Sequence, residues 1–158
     1  MVKNIMIFTF FCFSFLISCK KGSVSDYSNS PSFGFENLVD SYDSKTNTFI
    51  RKYNEDTIKV KVYLSDSEIE MILKSFSDNK FLNLSKNINC SKWGVSPKIY
   101  DKLYLNNNHV EFVHNSEVNS RWLCFQGKRF HQINFVIKKI IFQKLEVKTL
   151  EPSDIYYE

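Results

Sequence analysis

Three imidazoles, four thiols and a scatter of carboxylates are the side chains here with the chemistry to ligate a metal, attack a carbonyl or move a proton. His109 and His114 lie five residues apart in HVEFVH, a stretch that alternates like a strand. An odd separation on a strand puts them on opposite faces, where they cannot easily share a metal. His131 follows near the start of a helical pattern, far along the chain. These histidines read as surface or half-buried residues rather than as a metal site or a general base. Asp40, Asp43 and Asp56 crowd one end of a β-meander. Acids are common in β-turns, however, and the spacing matches no calcium loop. A nucleophile elbow, a phosphate-cradling glycine loop, a dinucleotide fingerprint and zincin spacing are all missing from the sequence. With no acid/base constellation to name, the expectation is a non-enzyme with neither metal nor cofactor.

The thiols carry more information. Cys90 and Cys124 suit two arrangements: a disulfide closing about 35 residues, or two buried thiols acting as small apolar groups. An exported compartment and the loop position of Cys90 favour the bridge, which would stabilise by roughly 3–4 kcal/mol in the chain-entropy model. Each of these cysteines has a tryptophan beside a cation as a near neighbour, in CSKWG and SRWLC. If the bridge forms, Lys92, Trp93, Arg121 and Trp122 come together as a patch with the composition of an interface anchor. The competing assignment makes both tryptophans caps on the core.

The positioning elements follow from periodicity. Residues 33–64 read as a three-strand meander, with Asp43 to Asn47 and Asn54 to Asp56 as its turns. Its clearest strand has Ile58, Val60, Val62 and Leu64 on one face and Lys59, Lys61 and Tyr63 on the other. Ser65 followed three residues later by Glu68 is a capping box, opening an amphipathic helix over 66–77. Residues 85–97 carry no period and read as loop. KIYDKLYL and HVEFVH form a hairpin around Asn106, Asn107 and Asn108, and Arg121 to Phe125 suggest one more strand. A second helix over 128–143 buries Phe130, Ile133, Val136, Ile137, Ile140 and Ile141, with Gln132, Lys138 and Lys139 outside. Val147 and Leu150 suit a short edge strand. The fold class is α+β: an antiparallel sheet of meander and hairpin, with helices on one face.

The amino terminus bears on location. Lys3 precedes an apolar run from Ile5 to Ile17, thirteen residues that rise about 20 Å as helix against a hydrocarbon core of about 30 Å. A basic start, a short apolar stretch and small Ser18 describe a secretory signal. Leu16-Ile17-Ser18-Cys19 resembles the lipobox of bacterial lipoproteins. The resemblance implies lipidation of Cys19, cleavage of residues 1–18 and permanent anchoring through more than one acyl chain. Lys20 and Lys21 lie within reach of anionic headgroups. Surface export in bacteroidete-type lipoproteins usually goes with an acidic run after the cysteine; its absence here implies a periplasm-facing protein of the cell envelope.

Residues 19–32 are polar and turn-rich, a tether, and residues 33–158 suit one domain. Net charge is +4, and +3 without Lys3, too mild and too evenly mixed to argue for nucleic acid. FENLVDSYDSKTNTFIRKY, KVYLSDSEIEMI and KLEVKTLEPSDIYYE are similar to a group of small uncharacterised bacteroidete lipoproteins. That similarity supports the anchor and the single domain and implies no activity. The expected function is a membrane-anchored binding or structural module, its partner an envelope protein or glycan. The alternative is an inhibitor or immunity-type lipoprotein against a toxin or lytic enzyme.

Overall fold

A computed structural model describes residues 31–90, 99–114 and 124–155. Four strands come first: β1 (Phe33–Glu36), β2 (Asp40–Asp43), β3 (Thr48–Lys52) and β4 (Thr57–Lys61). Helix α1 (Asp66–Asp78) and a 3-10 turn (Phe81–Asn83) lead to β5 (Asn87–Asn89). The hairpin β6 (Ile99–Leu105) and β7 (Asn108–His114) precedes α2 (Phe125–Gln143) and the single turn α3 (Leu145–Lys148). The strands make one seven-stranded sheet, ordered β4-β3-β2-β1-β6-β7-β5, antiparallel throughout except for the β5–β7 pair. The fold is α+β.

Register puts the large apolar residues of the sheet on one face. Phe33 lies opposite Leu105, and Phe35 opposite both Leu103 and Tyr42. Tyr42 in turn faces Phe49, and Leu103 faces Val110. Both helices cover this face. Phe76 of α1 packs on Phe33, while Phe142 and Phe130 of α2 pack on Phe35 and Phe112. The expected stripe of α2 is buried at Phe130, Ile133, Ile137 and Ile141, with Val136 and Ile140 partly so. The opposite face carries exposed Lys59, Lys61 and His109 and the surface pair Lys102–Glu111.

Local chemistry explains most of the element ends. Ser65 accepts from the Glu68 backbone N–H while the Glu68 carboxylate accepts from the Ser65 N–H, so the capping box forms as expected. Asn106 turns the β6–β7 hairpin at φ 53°, a conformation that asparagine tolerates without glycine. At Gly34 an added Cβ would lie 2.0 Å from the Tyr42 carbonyl oxygen and 2.2 Å from the Tyr104 hydroxyl, so only glycine fits this crossing.

Five expectations about elements are corrected. The meander has four strands, because the Asn37 side chain accepts from the Val39 and Asp40 N–H groups and folds 37–40 into a turn. The loop over 85–97 contains β5, where Ile88 is buried beside Phe112; three residues are too few to show a period. Phe125 is not strand but the first residue of α2, which starts three residues earlier than its apolar pattern. Its N-cap is Cys124, whose Sγ accepts from the Gly127 N–H. Lys138, assigned to the outer face of α2, reaches inward to Asp101. Val147 sits in α3 rather than in an edge strand. The tail beyond it is strapped to the β3–β4 end by side chains: Tyr53 and Arg51 donate to the Glu151 carbonyl, and Ser153 donates to the Lys52 carbonyl.

Candidate functional site

The four residues of the expected patch, Lys92, Trp93, Arg121 and Trp122, lie outside the described residues, as does Cys19. What the structure describes is where their segments are anchored. Residues 91–98 run between Cys90 and Ile99, and residues 115–123 between His114 and Cys124. Cys90 and Cys124 have their sulfurs at bonding distance, with Cα atoms 5.5 Å apart. Ile99 and His114 face each other across the β6–β7 ladder. Both segments therefore start and finish at neighbouring points at one end of the domain. Between the two possibilities for the thiols, the structure takes the pair. Gly127 permits the close packing there: an added Cβ would meet Phe112 at 2.8 Å, Cys90 Sγ at 3.0 Å and Cys124 Sγ at 3.1 Å.

Beside this end is a polar cluster that the sequence did not advertise. Asp101 lies on the inner face of β6, in phase with Leu103 and Leu105. Its carboxylate accepts from the Asn134 side-chain amide at 3.0 Å and from Lys138 Nζ at 3.2 Å. The Lys138 ammonium also stands 5.5 Å from the centre of the Phe35 ring. Asn134 is only 6% exposed, and its carbonyl oxygen is buried without a hydrogen-bond partner. An unpaired buried acceptor costs on the order of 1–3 kcal/mol, so it is an exception to be explained. One signal could have found it: Asn134 interrupts the apolar stripe between Ile133 and Ile137. Asp101 gave none, because acids on half-wet strands are common.

A groove of about 610 Å³ opens along this side of α2, lined by His131, Asn134, Phe135, Lys138, Lys139 and Phe142. Phe135 is 66% exposed, whereas Phe142 is held edge-on against Phe35 and Phe49. Among the described residues no acidic side chain lines the groove. His131 stands edge-on to Phe112, with ring centres 4.4 Å apart.

The remaining candidates are in structural contacts. His109 is exposed opposite Tyr104 on the helix-free face. Asp40 forms a half-buried pair with Arg51, whose guanidinium is held above its ordinary pKa, chiefly by that hydrogen bond. Asp43, at the other end of β2 from Asp40, accepts from Lys45 and Thr46, and Asp56 from Thr57. Burial pushes the Tyr42 hydroxyl up to about 12, with the Asp43 and Glu68 charges adding to it, and raises Tyr104 as well. Both lie in the sheet away from the groove. Among the described residues no cluster of three or more His, Cys, Asp or Glu could hold a metal ion. Nor is any described helix long and apolar enough to cross a membrane.

Compared with protein-family models, with curated proteins and with solved structures, the chain shows no match.

Proposed function

We propose that this protein is a lipid-anchored module of the cell envelope that binds a partner through the end of the domain where residues 91–98 and 115–123 are anchored. The observation that carries the anchor is Leu16-Ile17-Ser18-Cys19 closing a thirteen-residue apolar run, which resembles a lipobox. A paired Cys90 and Cys124 suits an oxidising compartment. The binding role rests on composition and placement. Two tryptophans beside two cations belong to segments whose four ends converge, and such residues dominate interface energetics. Lipidation at Cys19 leaves residues 20–32 as the tether that presents the domain at the membrane surface.

Two measurements test this. Cys19→Ser should move the protein from the membrane fraction to the soluble fraction or stall its processing; an unmodified mature chain starting elsewhere, seen by intact mass, refutes the anchor. Trp93→Ala should weaken capture of a partner from the envelope with little change in thermal midpoint. A loss of about 3 kcal/mol or more in stability, with no partner recovered by either form, assigns Trp93 to the core instead.

A further inference from the structure

We infer that the groove along α2 is a binding site for an acidic sugar, a pyranose carrying a carboxylate such as a uronic or muramic acid unit. The inference deepens the reading of a binding module and is independent of the lipid anchor. The groove has a volume typical of small-ligand sites, about 610 Å³ against a usual range of roughly 300–1,000 Å³. Its lining divides into three kinds of group, each selecting a different part of the ligand.

The first is positive charge with no acid among the described lining residues. Lys138 and Lys139 both line the groove, and α2 contains four cations and no Asp or Glu. Lys138 is already held by Asp101 at 3.2 Å, which fixes its stem in place. Lys139, exposed at the rim, is the cation available to a carboxylate. The second is the buried carbonyl of Asn134. Donation by its own amide to Asp101 fixes which side of the side chain is oxygen, so the unpaired atom is an acceptor. An acceptor calls for a hydroxyl or amide N–H, which a sugar supplies and acetate does not. The oxygen is covered, so a donor reaches it only through a local side-chain rearrangement at the groove floor. The third is aromatic surface. Exposed Phe135 and partly buried Phe142 line the same groove, and the electron-rich face of a ring attracts the C–H face of a pyranose. A simple carboxylate such as acetate would use only the first group; an acidic sugar uses all three.

The test is a titration of the oxidised mature chain, made soluble by Cys19→Ser, followed by amide chemical shifts. N-acetylmuramic acid and glucuronic acid are the probes; N-acetylglucosamine and acetate are the controls. An acidic sugar should shift the signals of Asn134, Lys138 and Lys139 saturably, with a Kd of about 1 mM or tighter. The neutral sugar and acetate should each bind at least about tenfold more weakly. Lys139→Glu, at an exposed position that leaves the core intact, should weaken acidic-sugar binding about tenfold and leave the remaining spectrum unchanged. Preference for one acid over the other identifies the source of the sugar. The inference is overturned if neither acid shifts this face, if acetate alone reproduces the shifts, or if Lys139→Glu binds as before. If the groove takes no acidic sugar while Trp93→Ala still loses a captured partner, this inference falls and the binding module stands.

Discussion

The two halves of the sheet are built on different principles. On one side β1 to β4 pair in chain order through tight turns, and α1 follows with its cap supplied by Ser65 and Glu68. On the other side only the β6–β7 hairpin is local, and the remaining partners are distant in sequence. β5 pairs in parallel with β7, Cys90 meets Cys124 across 34 residues, and Asp101 meets Asn134 across 33. Local pairing closes small loops at low entropic cost, whereas non-local pairing needs something to offset the closure of long ones. The second half has a covalent link for that purpose. It is also where the buried polar cluster and the anchors of the tryptophan-bearing segments collect, and from there the groove runs along α2 toward Phe142, which packs on Phe35 and Phe49. Local connectivity makes the scaffold, and the site lies where the chain had to be tied.

The largest test of this contrast is removal of the link. Reduction, or a double Cys90→Ser and Cys124→Ser variant, should cost about 3–4 kcal/mol in urea unfolding. Hydrogen exchange should locate the loss in β5 and the first turns of α2, with β2 to β4 keeping their protection. Uniform loss across the sheet would erase the distinction between the halves. Next comes Gly34→Ala, on the strand where the halves join. A methyl group there collides with the Tyr42 carbonyl and displaces the Tyr104 hydroxyl that donates to it at 2.8 Å. The expected cost is about 3 kcal/mol by chemical denaturation, since the obstructing atom is backbone. A near-neutral result would mean that β1 can shift and that the seam is soft.

Smaller changes sharpen the same comparison from the local side. Ser65→Ala removes the side-chain acceptor at the start of α1 and should lower stability by about 1 kcal/mol, with no effect on exchange in β5. The smallest effect concerns the ion pair between α1 and α2. Lys144 donates to Glu68 at 2.7 Å. That hydrogen bond holds the Glu68 carboxyl below its ordinary pKa against the opposing effect of burial, with the Ser65 N–H and hydroxyl assisting. A depressed folded-state pKa gives stability that is present above the unfolded value, near 4.5, and lost as pH falls through the folded one. Glu68→Gln should therefore flatten the acid limb of the stability curve, by under about 1 kcal/mol for a pair this near the surface. An unchanged acid limb would show that the pair contributes nothing to joining the two helices.

What the sequence determined by itself is what neighbouring residues decide between them. The capping box, the asparagine-turned hairpin and the buried stripe of α2 are legible because each depends on spacings of a few residues. The stretch from Phe33 to Asp43 was legible as strand but not as two strands, since the Asn37 turn depends on one side chain accepting two backbone N–H groups. Only the tertiary structure decided the rest. It gave three-residue β5 a partner, paired the two thiols, and made Leu145–Lys148 a helical turn with its tail strapped to β3. It also drew Lys138 off the surface to a carboxylate 37 residues away and buried Asn134 beside them. These outcomes depend on which elements come to lie side by side, and a contact between distant residues leaves no period in the chain. The groove has the same origin: its six described lining residues belong to one helix, but the Asp101 that orders two of them comes from the sheet.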